Sequence, residues 1–422
     1  MASKDLRAPW CSLLFVLLGL WLGLPGIVAR SPSSAGELLA PTVIPVGADP
    51  GPVVIVDVNH DGHLDILAAN PNAGTLTVLL GDGQGHFHPG PGSPFPAGHL
   101  PSDIGVGDFN GDGNLDLVIP NHQTPYVTLL LGDGKGGFRA APHSPFATLS
   151  KPHPHGVAVG HFCGADAPLD AVIDSWASSQ IQLLLGDGKG NFTAGPLFSA
   201  GPGSDAPLRS ADFDRNGTPD IVMPNLAIGQ WNENKVTILL GDGKCGFRPG
   251  PGSPMAAGAE PWSVAVGDLN RDGIPDLVIL PYGPRVRDPK QIAATILLGD
   301  GKGGFAPMPG SPFPLPGCAS PYRAAIGDVN GDSIPDVVVT CMQSDSILLF
   351  LGQERGGFQV TSIHVPSGRN GGTVAERGVA LADLTGKGSD DVILTNGDAS
   401  TITLLFSAGA GATGSPHSSK SN

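Results

Sequence analysis

The chain has 422 residues, with 23 Lys and Arg against 38 Asp and Glu and a formal net charge of −15. Nothing basic is clustered, which excludes a nucleic-acid partner on electrostatic grounds. Gly (63) and Pro (42) make up about a quarter of the chain, yet they punctuate short Val/Ile/Leu runs, the pattern of turns in an all-β protein and not of a disordered polymer.

At the N-terminus, Lys4 and Arg7 precede an apolar run over residues 12–24 that ends in Pro25-Gly26-Ile27-Val28-Ala29. A charged start, a short core interrupted by Gly and a small-residue end predict a signal peptide over 1–29, followed by a linker over 30–36. No later segment is long and apolar enough to span a bilayer. The expected location is therefore secreted, extracellular or periplasmic. Export permits disulfides, and four cysteines follow the leader: Cys163, Cys245, Cys318 and Cys341. Cys318 stands just before the first strand of its repeat and Cys341 at the end of the second, so antiparallel pairing predicts a Cys318–Cys341 bridge. The other two stay open.

Residues 37–407 repeat one pattern seven times, about every 54 residues: an apolar strand, an Asp-rich loop, a second strand, then a third strand ending in Gly-Asp-Gly-x-Gly-x-Phe or a variant of it. The loops begin at Asp57, Asp108, His161, Asp212, Asp268, Asp328 and Asp383. In the fifth repeat, 263–267 reads as strand A, 268–276 as the loop, 277–280 as strand B and 294–298 as strand C. A tight turn to Phe305 leads into strand D. Such a unit cannot bury both faces alone, and radial repetition is the solution. The expectation is an all-β, seven-bladed propeller of four-stranded antiparallel blades. The seventh repeat stops at Phe406 without a strand D, and Leu38–Val46 resembles the missing strand, so the N-terminal segment is expected to complete the last blade. Residues 408–422 read as a disordered tail. A parallel β-helix is disfavoured because its repeats are much shorter.

Five loops carry oxygen-bearing side chains at positions 1, 3, 5 and 9: Asp57, Asn59, Asp61 and Asp65; Asp108, Asn110, Asp112 and Asp116; Asp212, Asp214, Asn216 and Asp220; Asp268, Asn270, Asp272 and Asp276; Asp328, Asn330, Asp332 and Asp336. Hard oxygen donors in a flexible loop favour Ca²⁺ over zinc or copper. Position 7 would offer a backbone carbonyl, from His63, Asn114, Thr218, Ile274 or Ile334, and its side chain is accordingly free to vary. An EF-hand would need an acid at position 12 and flanking helices; position 12 holds Ala68, Ile119, Met223, Ile279 and Val339, in β-type runs. About five Ca²⁺ sites are therefore expected. The loop at His161 is one residue too long and lacks early carboxylates, and that at Asp383 places Lys387 where a ligand should stand, so both are expected to be empty.

The spacing, the seven-fold count and the Gly-Asp-Gly-x-Gly-x-Phe turns resemble the FG-GAP/VCBS repeat family, the propellers related to the integrin α-subunit head. The resemblance implies Ca²⁺ in the loop joining strands A and B in a structural role, and a history of adhesion and ligand binding. The literal Gly-Ala-Pro after the loop is mostly absent (Ile119-Pro120 and Met223-Pro224 stand instead), which places the chain nearer the VCBS side.

In such a blade the B–C and D–A connections share the face opposite the cation loops. Every Tyr and Trp beyond the leader falls in or beside them: Tyr126, Trp176, Trp231, Trp262, Tyr282 and Tyr322. Six residues before each loop stand Gly51, Ser102, His155, Ala206, Trp262, Tyr322 and Arg377, a varied row on a constant scaffold. Exposed aromatic loops suit recognition; the competing reading is that they plug the channel mouth. Ten of twelve His lie between residues 60 and 161, and surface histidine explains them better than a transition-metal site. The functional expectation is a monomeric binding or adhesion module for a glycan or an extracellular protein. The alternative is a polysaccharide lyase or hydrolase with its site at the channel mouth, served by Arg377, His155 and Tyr322. No nucleophile–base pair supports the alternative.

Overall fold

The computed structural model describes residues 38, 40–148, 154–175, 179–201, 207–225, 234–286, 288–318, 320–342, 344–365 and 378–409. The predicted leader (1–29), the linker (30–36) and all of the tail beyond residue 409 lie outside these, as do Trp176, Trp231, Ala206 and Arg377.

The fold is a seven-bladed β-propeller of antiparallel sheets. The inner strands A are Val53–Val56, Gly105–Gly107, Val157–Gly160, Arg209–Ala211, Pro261–Gly267, Pro321–Gly327 and Val379–Ala382. Strands B each begin on the position-9 or equivalent aspartate: Asp65–Asn70, Asp116–Asn121, Asp170–Ser175, Asp220–Asn225, Asp276–Pro281, Asp336–Cys341 and Asp391–Asn396. Nearly all their described residues are buried on both faces between neighbouring blades, which is why they read as unbroken apolar runs rather than alternating ones. Strands C end in the Gly-rich turn, whose Phe opens strand D: Phe87–Pro89, Phe138–Ala140, Phe192–Ser199, Phe247–Pro249, Phe305–Pro307 and Phe358–His364. In blades 1, 2, 4 and 5 a two-residue strand, for example Phe313–Pro314, pairs again with strand C after a turn. In the seventh sheet the outermost strand is Thr42–Pro45, which pairs with Thr401–Leu405 in the register Thr42 to Leu404 and Pro45 to Thr401.

The core lies between blades. Leu67 and Val78 of blade 1 cluster with Ile119, Leu130 and Phe138 of blade 2. Ile393 and Leu404 of blade 7 cluster with Ile66 and Leu79 of blade 1. Each such side chain, fully buried, contributes about 1.5–3 kcal/mol, so no blade is stable without its neighbours. Two disulfides are present. Cys318–Cys341 joins the start of strand A to the end of strand B in blade 6, as the sequence predicts. Cys163–Cys245 joins the loop of blade 3 to the Gly-rich turn of blade 4, with the Cα atoms 4.3 Å apart. Among the described residues no helix is long and apolar enough to cross a membrane.

Candidate functional sites

The A–B loops are built by their own side chains. In the first, Asp57 accepts the His60 N–H at 2.7 Å and the Gly62 N–H at 2.9 Å, and Asp61 accepts the His63 N–H at 2.8 Å. Asn59 donates its side-chain amide to Asp61 at 2.9 Å. Loops two, five and six repeat this pattern through Asp108 and Asp112, Asp268 and Asp272, and Asp328 and Asp332. Position 6 turns at positive φ, 84° at Gly62 and 63° at Ser333, so glycine is favoured there but is not obligatory. Loop four differs: Asp214 replaces the asparagine, and oxygens of Asp212, Asp214 and Asp220 lie within 4.8 Å of one another. One Asp214 oxygen meets the Arg248 guanidinium at 3.2 Å and the other is buried without a hydrogen-bond partner. The donor set of these loops, carboxylate and amide oxygens at the tip of a turn, fits a hard cation.

Position 9 has a second role that its spacing does not reveal. Asp65 accepts the Val58 N–H on one oxygen and the Gly81 N–H on the other, both at 2.9 Å, tying the loop to the end of strand C. Asp116, Asp220, Asp276 and Asp336 do the same. So does Asp391, in a loop expected to hold no ion, and Asp170 in the other such loop accepts the Gly186 N–H. This aspartate therefore staples the loop to strand C in six blades, and in blade 3 Asp170 keeps the strand C contact alone. Burial pushes its carboxyl up, to about 6 for Asp116 and about 7 for Asp220 and Asp336, with the loop's other aspartates adding to the shift and the two backbone donors opposing it. In loop seven Asp383 still accepts the Lys387 and Gly388 N–H groups, so the loop keeps its shape with a cation at position 5.

Neighbouring blades are joined at this face by one repeated contact. The carbonyl of loop position 2 accepts an N–H from the next blade's Gly-rich turn: Gly190 to Phe109, Cys245 to Phe162 and Gly303 to Phe213, at 3.0–3.1 Å. At Phe162 the Cys163–Cys245 disulfide reinforces that contact, in the loop that has lost its early carboxylates.

The opposite face holds a cavity of about 250 Å³ at the mouth of the central channel. Ser102, His155, Trp262 and Tyr322 from the varied row line it, together with Asp49, His122 and Arg323. Its floor is an arch of rings. His122 and His155 meet edge to face at 4.5 Å, with their Nε2 atoms 3.1 Å apart. His155 reaches Trp262 at 5.8 Å, and Trp262 reaches Tyr282 at 5.2 Å and Tyr322 at 6.3 Å. The aromatics described are less exposed than their loop positions suggest: Trp262 is 9% and Tyr322 5% exposed, because each packs against its neighbour and Met342, and of the described Tyr and Trp only Tyr126, at 42%, stands out in solvent.

His122 and Arg323 are pocket residues that sequence reasoning missed. His122 follows strand B of blade 2 with no periodic signal. Arg323 is next to Tyr322, one step past the varied row, in a second row whose members Asp103, Ser263 and Arg323 line the channel. The register shifts between Pro261 and Ser263 and between Pro321 and Ala324; such bulges re-aim side chains, here Trp262, Tyr322 and Arg323.

Residues 35–119 and 224–279 match the FG-GAP-like repeat. No curated protein sequence matches the chain. Among solved structures the chain is similar to BBS1N in complex with ARL6DN (11% identity, TM-score 0.54, covering 87% of this chain and 96% of that one). It is also similar to a lectin from Agrocybe aegerita described as recognising non-reducing terminal N-acetylglucosamine (15%, TM-score 0.46, 76% and 81%). The rhamnogalacturonan lyase YesW is a third (14%, TM-score 0.46, 88% and 74%). At these identities the likeness is of fold. The chain is a seven-bladed β-propeller, and within it residues 35–119 and 224–279 match the FG-GAP-like repeat.

Proposed function

We propose that the chain is a secreted, calcium-stabilised propeller that binds a glycan through the mouth pocket and catalyses no reaction on it. The pocket carries this reading: a concave site of about 250 Å³ with an aromatic floor and polar groups from at least five blades around it. Protein partners are usually met by broader surfaces of about 800 Å² per side, whereas a small pocket with a few convergent polar groups suits one sugar unit. The two disulfides fit an oxidising compartment.

Calcium would be held by Asp57, Asn59 and Asp61 in the first loop and by their counterparts in the other four. It would neutralise carboxylates that the fold gathers at one face, and so add stability without chemistry. A glycan array followed by calorimetry tests the binding reading, with reducing-end release measured in parallel. The expected result is binding without cleavage, lost in His122→Ala at an unchanged melting point. Cleavage of the bound glycan, or an empty array alongside a captured extracellular protein, would overturn it.

A further inference from the structure

Arg323 stands out among the charged groups of the channel. Its backbone is fixed on both sides by Thr340, whose hydroxyl accepts the Arg323 N–H at 3.1 Å and donates to the Arg323 carbonyl at 3.3 Å. Its guanidinium lies over the Tyr322 ring, 5.1 Å from the centroid, a stacking that holds the planar donor fork in place without neutralising it. Arg209, the other inner-strand arginine, is satisfied by Asp103 at 3.0 Å. Asp103 is itself fully engaged, accepting N–H groups from Ile104 and Val157 as well. Among the described residues no carboxylate pairs with Arg323, and it lines both the mouth pocket and the channel below.

A cation without a counter-ion among the described residues, half-buried in a chain of net charge −15, is costly unless a ligand supplies the anion. The acidic loops do not cancel it, because they sit on the opposite face and salt screens charge beyond about 8 Å. Asp49 lines the same pocket, and its carboxyl is pushed up by burial and by the nearby charge of Asp398. A carboxylate on that rim accepts hydroxyls and repels a second anion. The cavity volume equals that of about eight waters at ~30 Å³ each, enough for a single ring. We infer that the pocket takes a sugar unit bearing one carboxylate, a hexuronate, with Arg323 as the bidentate partner of that carboxylate and Asp49 facing its hydroxyls. The inference rests on the glycan-binding reading and names the class of glycan.

The test is calorimetry on the full chain with a trisaccharide ending in glucuronate and the same trisaccharide ending in glucose. The wild type should bind the acidic probe at least tenfold more tightly, with affinity falling as salt rises. Arg323→Gln should remove that preference and leave the neutral probe within about twofold, while Arg323→Lys should fall between. Free acetate should not compete at matched concentration. Equal affinity for the two probes, or a preference that survives Arg323→Gln with the melting point unchanged, overturns the inference and leaves glycan binding standing. If acetate alone displaces the acidic probe, the site is a general anion site and the sugar assignment fails. Binding of neither probe, together with an empty glycan array, overturns both readings.

Discussion

The two faces of this propeller are made by the same strands and follow opposite rules. On the loop face the same side chains make the same hydrogen bonds in blade after blade, so that Asp65, Asp116, Asp220, Asp276, Asp336 and Asp391 all bridge the same two backbone donors. On the mouth face the equivalent positions hold Ser102, His155, Trp262 and Tyr322, and the contacts run between unlike residues across the channel. Repetition marks what every blade needs in order to stand. Variation marks what only one site needs. Stability should therefore be concentrated at one end of the molecule and ligand preference at the other, and the contrast can be broken or sharpened by experiment.

The largest expected effect is removal of the proposed calcium. With five sites near millimolar extracellular affinity, each adding on the order of 1 kcal/mol, a chelator should lower stability by roughly 3–7 kcal/mol. An unchanged melting midpoint would show that the loops stand without metal. Next comes Asp65→Ala, which strands two buried N–H donors at about 1–3 kcal/mol each. Urea denaturation should register a loss of about 3 kcal/mol, with Asp65→Asn losing less. A loss below 1 kcal/mol would mean that the staple is decorative. The Cys163→Ser, Cys245→Ser double variant should cost about 2–4 kcal/mol, since the bridge spans 82 residues and ties two blades where the loop is stripped of acids. If chelation and this double variant act additively, the disulfide stands in for an ion at that seam.

Much of the loop face was legible in the sequence because a period of about 54 residues samples each position seven times. The blade count, the strand order and the Cys318–Cys341 bridge followed from that. Position 9 was read as a ligand alone, because a carboxylate at ligand spacing and a carboxylate that bridges two backbone donors look alike in one dimension. The mouth was legible only in part. The varied row could be found because its neighbours repeat, but His122 has no counterpart to align with. Arg323 was hidden by a bulge, which shifts register without leaving a sequence mark. Burial of Trp262 was also invisible, since it depends on Tyr282, Tyr322 and Met342 packing against it and on a ring contact with His155, more than a hundred residues away.

The smallest predicted effect concerns pH, and its sign separates the two faces. The position-9 carboxyls are raised above the usual carboxylate range in the folded chain, to about 6 or 7 at Asp116, Asp220 and Asp336. A raised acid holds its proton more tightly folded than unfolded, so its contribution is present below about pH 4 and is lost as pH rises through about 6 to 7. In chelator, the protein should therefore melt at a higher temperature at pH 5 than at pH 7.5, by a few degrees. With calcium present the slope should flatten or reverse, because the ion binds the ionised form and holds it at neutral pH. Arg323→Gln at the mouth should leave both slopes unchanged. A chelated protein that gains stability between pH 5 and pH 7.5 would mean that these aspartates are ionised in the fold without a cation, and that charge repulsion at the loop face is weaker than their burial implies.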